Sequence, residues 1–264
     1  MTFSRFIALG DSLTEGLSDR YPSGNYRGWA DRVADTLATQ TENFKYANLA
    51  VRGKLVEEVV EQQLPKALEM ASENTLISFH AGANNILRPN LDFEFVFENY
   101  RNAVKKLTGT NAKVIVFTVR EAARPQTPVE ILWNRRFGPF NKNVHRVAQE
   151  FGAKVMDANS HEVFGAPQML AADRLHLSAE GHRRVANAVL AELGYPHEDD
   201  WLNPFPPTSS APLPLRVAGN AIWAVGYVGP WLLRRATGKS SGDGRTAKYP
   251  DLIDWKPKET LHNH

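Results

Sequence analysis

The 264-residue sequence contains no cysteine, which excludes disulfides, thiolate metal sites and a cysteine nucleophile. This absence is typical of a protein from a reducing compartment. A large excess of one charge is also missing, because 31 Lys and Arg residues stand against 29 Asp and Glu residues, for a formal net charge of +2. Bulk electrostatics of this kind do not indicate binding to nucleic acid, and we predict no nucleic-acid partner.

The sequence also has no apolar run long enough to span a bilayer comfortably. Its most apolar segment, residues 217–233, is interrupted by Asn220, three glycines and Pro230, whereas a spanning helix needs about 20 apolar residues. The first apolar strand is predicted to begin by Phe6, which leaves no room for the regions of a signal peptide. We therefore expect a cytoplasmic protein without an integral membrane span.

Short apolar runs do alternate with longer amphipathic segments up to about residue 195. The apolar runs, which predict buried strands, are Phe6–Leu9, Tyr46–Leu49, Thr75–Phe79, Lys113–Val119 and Lys154–Met156. The segments with helical periodicity are Trp29–Leu37, Leu55–Met70, Phe93–Leu107, Asn141–Phe151 and Ala179–Leu193. This alternation predicts an α/β fold, a three-layer α/β/α sandwich whose central, mostly parallel sheet has helices on both faces.

The composition changes after Tyr195, because nine of the sixteen prolines lie beyond it. We expect one domain over residues 1–195 and a Pro-rich C-terminal extension over residues 196–264.

Two parts of this extension differ from each other. The apolar and aromatic segment 217–233 favours a helix docked on the first domain. A lid or a peripheral membrane anchor through residues 217–235 is the alternative, suggested by Arg234 and Arg235. From Thr237 the sequence has the composition of a flexible linker, so a flexible or loosely packed tail is expected.

The residue types needed for acyl transfer by serine occur at two distant points of the chain. Ser12 follows the first apolar run in a Gly10-Asp11-Ser12 turn, and Asp173 lies three residues before His176. Such chemistry needs a hydroxyl, an imidazole that accepts its proton and a carboxylate that holds the imidazole. Each motif alone is typical of ordinary turns and helix caps. Together they predict a serine hydrolase.

Two further positions suit the stabilisation of an oxyanion. Gly53 follows the second apolar run, and Asn84 follows the third. Because the carboxyl ends of parallel strands share one rim, both residues are expected near Ser12. An Asn amide and two backbone N–H groups would stabilise a tetrahedral intermediate. Taken singly, the two residues would equally suit a helix cap and a helix start.

These four blocks resemble the SGNH hydrolases, also called the GDSL esterase/lipase family, over most of residues 5–193. The resemblance implies a flavodoxin-like fold, hydrolysis of carboxylic esters through an acyl-enzyme, a small-molecule ester as substrate, and neither a metal nor an organic cofactor. It also assigns the site residues. The triad it implies is Ser12, Asp173 and His176, and the oxyanion hole it implies is Ser12, Gly53 and Asn84.

One position departs from the family pattern: the third block usually ends in Asp, and this chain has Asn85. The alternative function is a non-catalytic glycan- or lipid-binding protein on the same fold. Esterase, thioesterase and sugar deacetylase are not distinguished by the sequence, and neither is the oligomeric state.

Four other regions receive secondary interpretations. The segments Tyr21–Trp29 and Arg120–Arg136 are expected on the same rim, the second as a long irregular stretch. Both could influence substrate choice, and each could equally be a packed connection. Asp11 is expected to form hydrogen bonds within its turn. His182 is expected on the helix that follows His176, exposed to solvent.

Overall fold

The computed structural model describes residues 2–207, 212–230 and 240–257, and its centre is a six-stranded sheet. In chain order the strands are β1 (Arg5–Gly10), β2 (Lys45–Asn48), β3 (Thr75–His80), β4 (Lys113–Phe117), β5 (Lys154–Met156) and β6 (Tyr249–Asp254). Their spatial order is β5-β4-β3-β1-β2-β6. The first five strands are parallel, and β6 pairs antiparallel with β2. The predicted α/β class with a mostly parallel sheet is confirmed.

Helices connect these strands and cover the sheet. They are α1 (Ser12–Glu15), α2 (Gly28–Ala38), α3 (Val56–Gln62), α4 (Leu64–Met70), α5 (Ala83–Ile86), α6 (Phe93–Thr108), α7 (Pro128–Phe151), α8 (Ala179–Leu193) and α9 (Leu213–Trp223). The chain continues from α9 as a π-helical turn over Ala224–Val228. None of the helices within the described residues combines the length and apolarity needed to cross a membrane.

The two faces of the sheet have separate apolar cores, which makes the architecture three-layered. Along β1, Ile7 and Leu9 face the core built with α3, α4, α6 and α7, whereas Phe6 and Ala8 face the core built with α2 and α8. This alternation follows from the two-residue period of a strand. Because β1 is central and buried on both faces, its sequence is almost continuously apolar.

The helix α7 begins at Pro128, well before the predicted start at Asn141, so most of Arg120–Arg136 is helical and the predicted irregular stretch is wrong. The Thr127 hydroxyl caps the helix by accepting a hydrogen bond from the Glu130 backbone N–H, and the Glu130 carboxylate accepts one from the Thr127 backbone N–H. The sequence predicts a later start because Pro139 lies within the helix, and proline normally interrupts a helix.

The predicted helix Leu55–Met70 is divided in two at Gln63, which separates α3 from α4. Pro65 lies in the first turn of α4, where a backbone N–H would have no partner within the helix, so proline is tolerated there. The break matters for function because it directs the Gln63 side chain to the end of β1.

Residues 249–255 of the extension join the sheet or pack on it, which differs from the expectation of a loose tail. The strand β6 pairs with β2, with Ile253 opposite Tyr46, and Trp255 is buried. The Lys248 ammonium lies 2.7 Å from the carboxylate of Asp31 on α2. The predicted linker and anchor residues over 231–239 fall outside the described residues. The division of the chain at residue 195 stays a prediction.

Candidate active site

The turn that presents Ser12 is determined by Gly10 and by a side chain from the neighbouring layer. Gly10 has φ +150°, and a Cβ on it would collide with the His80 carbonyl oxygen of the adjacent strand. Gln63 accepts a hydrogen bond from the Gly10 N–H and donates one to the Gly10 carbonyl, both at 2.9 Å. The buried amide therefore fixes the peptide groups on both sides of Gly10. The sequence interpretation missed Gln63, and the break before Pro65 was the signal that could have revealed it.

Ser12 itself is the first residue of α1 and is half-buried. Asp11 precedes it as the N-cap, with its Oδ1 accepting from the Leu13 N–H at 3.3 Å. Asp11 thus forms the local hydrogen bond expected of it. The Ser12 hydroxyl is left directed toward the loop before α8.

Ser12, His176 and Asp173 form a continuous hydrogen-bonded chain. His176 Nε2 lies 3.0 Å from Ser12 Oγ, and His176 Nδ1 lies 2.6 Å from Asp173 Oδ2. A carboxylate only accepts hydrogen bonds, so Nδ1 carries the proton and Nε2 is the acceptor for the serine hydroxyl. This is the tautomer that a general base next to serine requires.

The Asp173 carboxylate is held as an anion by its own loop. Burial favours protonation, but hydrogen bonds from the His176 ring and from the backbone N–H groups of His176 and Leu175 outweigh it and lower the pKa of Asp173. Both backbone bonds reach Oδ1 at 3.0 Å. One oxygen therefore orders the loop, and the other orients His176.

The two remaining predicted oxyanion residues, Gly53 and Asn84, lie beside the nucleophile turn. Asn84 Nδ2 donates to Asp11 Oδ2 and to the Lys54 carbonyl oxygen, each at 3.1 Å, and so bridges the Ser12 turn and the Gly53 loop. Gly53 has φ +75°, in the left-handed region that favours glycine. For the Asn84 amide to bind an oxyanion, the substrate oxygen has to share or replace one of these two acceptors.

An ion pair connects the helix α1 directly with the Gly53 loop. Glu15 on α1 accepts hydrogen bonds from the Arg52 guanidinium and, at 2.7 Å, from the Arg52 backbone N–H. Both side chains are largely buried. Since Arg52 immediately precedes Gly53, the pair sets the position of the Gly53 backbone relative to Ser12. The charged residues carried no motif that singled them out in the sequence.

The departure at Asn85 has a local explanation. Its Oδ1 accepts from the Val56 N–H at the start of α3, and its Nδ2 donates to Glu57 Oε2, each at 2.8 Å. An aspartate in this position would cap the helix equally well but would place a second carboxylate against Glu57. Asparagine supplies the donor that this neighbour needs.

The prediction that His182 is exposed is wrong, although the residue does lie on α8. It is completely buried, accepting from the Trp29 N–H through Nδ1 and donating to the Leu17 carbonyl through Nε2. Burial lowers the pKa of His182 to about 4, with the bond to Leu17 opposing this shift. The neutral ring links α8 to the loop that follows α1. No cluster of three or more His, Asp or Glu residues that could hold a metal ion occurs in the described ranges.

The C-terminal extension reaches two loops of the site, which the sequence did not indicate. Trp223 on α9 donates through Nε1 to the Asp173 carbonyl oxygen at 2.9 Å. Ser240 lies against Gly53, with its hydroxyl 3.4 Å from the Gly53 carbonyl oxygen.

A hydrogen-bonded Ser, His and Asp at the carboxyl end of a parallel sheet is the arrangement shared by serine hydrolases. The model of the GDSL-like lipase/acylhydrolase family matches residues 8–184, and the chain belongs to this family. Family membership identifies the protein as an ester hydrolase in the broad sense. No curated protein sequence matches the chain.

Solved structures with the same fold include several esterases. TesA has a TM-score of 0.58 and 20% identity, covering 72% of this chain and 97% of its own. The acetylxylan esterase Axe2 from Geobacillus stearothermophilus has a TM-score of 0.58 and 18% identity, covering 76% of this chain and 97% of its own. The psychrotrophic esterase EstA from Pseudoalteromonas sp. has a TM-score of 0.55 and 16% identity, covering 72% and 97%. At such identities the likeness shows the shared fold.

Proposed function

We propose that the protein is a serine esterase that cleaves carboxylic esters of small molecules through an acyl-enzyme intermediate. The observation that carries the proposal is the hydrogen-bonded chain in which His176 lies 3.0 Å from the Ser12 hydroxyl and 2.6 Å from the Asp173 carboxylate. The proton positions in this chain are those that a serine nucleophile requires.

In the proposed reaction, Ser12 Oγ attacks the acyl carbon while its proton moves to His176 Nε2. Asp173 stabilises the imidazolium that forms and keeps its orientation. As the tetrahedral intermediate collapses, the ester C–O bond breaks and His176 gives the proton to the departing alcohol. Water, deprotonated by His176, then attacks the acyl-enzyme and releases the carboxylic acid, which restores the Ser12 hydroxyl.

The oxyanion of each tetrahedral intermediate would be stabilised by the backbone N–H groups of Ser12 and Gly53 and by Asn84 Nδ2. Ser12 is the first residue of α1, so its N–H has no partner within that helix. The Asn84 bridge to Asp11 and Lys54 brings its amide to the same turn. Preorganised donors of this kind are generally the largest contribution to acyl transfer.

The nucleophile is tested with a fluorophosphonate probe on the folded protein, followed by peptide mapping. We expect labelling at Ser12, loss of labelling in Ser12→Ala, and full labelling in the matched control Ser23→Ala, which removes an exposed hydroxyl. Failure of the unmodified protein to react at Ser12 would sink the serine mechanism.

The substrate class is tested with a chain-length series of p-nitrophenyl esters beside a thioester and acetylated xylan, the latter because Axe2 is an acetylxylan esterase. Turnover of any member supports the ester or acyl hydrolase and defines its preference. The alternative, a glycan- or lipid-binding protein, requires no turnover of any member together with ligand binding that survives Ser12→Ala.

Peripheral membrane contact through residues 217–235 stays a prediction, as does a cytoplasmic location. The described part of this segment exposes Ile222, Val225 and Tyr227, while Arg234 and Arg235 lie outside the described residues. Co-sedimentation with anionic vesicles would test the membrane contact. Equal amounts of protein in the pellet with and without vesicles would contradict it.

A further inference from the structure

The loop that carries Asp173 and His176 makes mainly short-range contacts within the family core. The Ala171 N–H donates to the His176 carbonyl at 2.8 Å, and the Arg174 N–H donates to the Ala171 carbonyl at 2.9 Å. Arg174 has φ +59°, a left-handed conformation that is uncommon for a residue with a side chain. Arg174 is exposed, so its burial in the core does little to offset the cost of this conformation.

Contacts from α9 reach this loop from outside the residues that the family model matches. Trp223 Nε1 donates to the Asp173 carbonyl oxygen at 2.9 Å. The Arg174 guanidinium lies 4.8 Å from the centroid of the Trp223 ring and donates to Asn220 Oδ1 at 2.9 Å. Asn220 and Trp223 are three residues apart, so one face of the helix presents both groups.

We propose that Trp223 and Asn220 are positioning residues for the catalytic carboxylate, so that α9 is a functional part of the active site. The proposal rests on the proposed esterase function. Trp223 restrains the Asp173 peptide, and Asn220 together with the indole ring restrains Arg174 in its left-handed conformation. Both restraints act next to the carboxylate that must remain 2.6 Å from His176 Nδ1. Small displacements of a catalytic group are costly, with 1 Å worth about 10²-fold in rate.

The sharpest variant is Trp223→Phe, which keeps an aromatic face for Arg174 but removes the indole N–H. Loss of one hydrogen bond of ordinary strength is expected to lower kcat about fivefold. KM should stay within about twofold, because the missing bond orders the catalytic loop rather than the substrate. Ile222→Ala is the matched control, since the neighbouring side chain is exposed, and its kcat should equal that of the unmodified protein.

The second contact is tested by a pair of substitutions at Asn220. Asn220→Leu removes the acceptor for Arg174 and is expected to lower kcat, whereas Asn220→Asp keeps an acceptor oxygen and should restore it. A purely structural role would lower the melting temperature of the leucine variant without this rescue in kcat. The pair also keeps the proposal testable if Trp223→Phe does not fold.

Amide hydrogen exchange supplies a readout that does not depend on turnover. Exchange of the amides of residues 174–176 should accelerate in Trp223→Phe and Asn220→Leu, but not in Ile222→Ala. Unchanged exchange and unchanged kcat in folded variants overturn the positioning role while the esterase function stands. If the unmodified protein neither hydrolyses esters nor reacts at Ser12, the esterase function fails, and the exchange data still report on the contact itself.

Discussion

The family core and the C-terminal extension are joined to the rest of the molecule in different ways. In the core, over residues 8–184, Ser12 and Asn84 closely follow the ends of parallel strands, so the fold itself brings them to one rim. The extension instead contributes single contacts at separated points, with Trp223 against the Asp173 loop and Lys248 against Asp31. A strand end can be recognised as a motif, whereas a single long-range contact has no sequence signature.

The largest effect is expected when the contact between Lys248 of the extension and the buried Asp31 of the core is removed. In Lys248→Met, the fully buried Asp31 carboxylate loses its ammonium partner, and we expect the free energy of unfolding to fall by about 3–5 kcal/mol. Urea denaturation measures this loss. The double variant Asp31→Asn/Lys248→Met, which carries no buried charge, should be the more stable of the two. A single variant as stable as the unmodified protein would show that the extension does not stabilise α2 through this pair.

The pH dependence of that same loss follows from Asp31. Burial raises the pKa of Asp31, and the Lys248 ammonium lowers it. Without Lys248, the folded-state pKa rises further above the unfolded value, so the folded protein binds a proton more readily. The loss of unfolding free energy in Lys248→Met should therefore be complete above the folded-state pKa of Asp31 in the variant. It should become smaller as the pH falls below that value.

Within the core, Asn84→Ala tests the proposed oxyanion donor, whose amide bridges Asp11 and Lys54. Removal of one such donor is expected to lower kcat by about 10²–10³-fold with a small change in KM. Steady-state kinetics on a p-nitrophenyl ester measures it, and Asn90→Ala, at an exposed position, is the control. An unchanged kcat would mean that the amide keeps its two protein acceptors throughout the reaction.

The buried His182 on α8 predicts that the protein loses stability in acid. Its pKa is lowered from 6.5 to about 4, so between these values the unfolded chain binds a proton that the folded protein does not. Stability from this group is complete above pH 6.5 and decreases as the pH falls toward 4. Between pH 7 and pH 5 the loss amounts to about 2 kcal/mol.

Urea denaturation of His182→Gln at the two pH values isolates this contribution. The variant should be less stable at pH 7 but should lose less between pH 7 and pH 5 than the unmodified protein. His197→Gln, at an exposed position, should keep the full pH dependence. Equal losses in His182→Gln and the unmodified protein would contradict the assignment.

The smallest effect is expected at the exposed edge of β6. Asp254 and Lys45 form an ion pair at 3.0 Å with side chains 76% and 44% exposed, and such pairs contribute about 0–1 kcal/mol. Asp254→Asn should shift the urea midpoint only slightly, and less at high salt. A loss as large as that of Lys248→Met would place the stabilising role of the extension at its surface rather than at its buried contacts.

Most of the core was predictable because the hydrophobic periodicity and the capping residues at the ends of its elements indicate the same bounds. The helix Ala179–Leu193 was predicted with its observed bounds, since Ser178 caps its start and Gly194 ends it in a left-handed conformation. The strand Lys154–Met156 was likewise predicted with the bounds it has. Ser12 and Asn84 closely follow such strands, so the order of elements in the sequence predicts them on one rim. Asp173 and His176 instead lie in the loop before α8.

The strand and the contacts that the sequence did not predict lack a regular hydrophobic pattern and clear end signals. In β6, Pro250 and two aspartates break the apolar pattern, yet an edge strand tolerates both because one of its sides is not paired. The contacts of Gln63 and Lys248 join residues far apart in the chain, and neither residue type predicts a partner. Only the assembled sheet brings such groups together.

The ion pair between Lys248 and Asp31 also has a consequence for the order in which the molecule is completed. During synthesis on a ribosome, Asp31 emerges long before its counter-ion Lys248. Until Lys248 follows, the Asp31 carboxylate has only neutral donors such as the Tyr21 and Tyr46 hydroxyls. Neutralisation of this buried acid by its ammonium partner is thus tied to translation of the chain from Asp31 as far as Lys248.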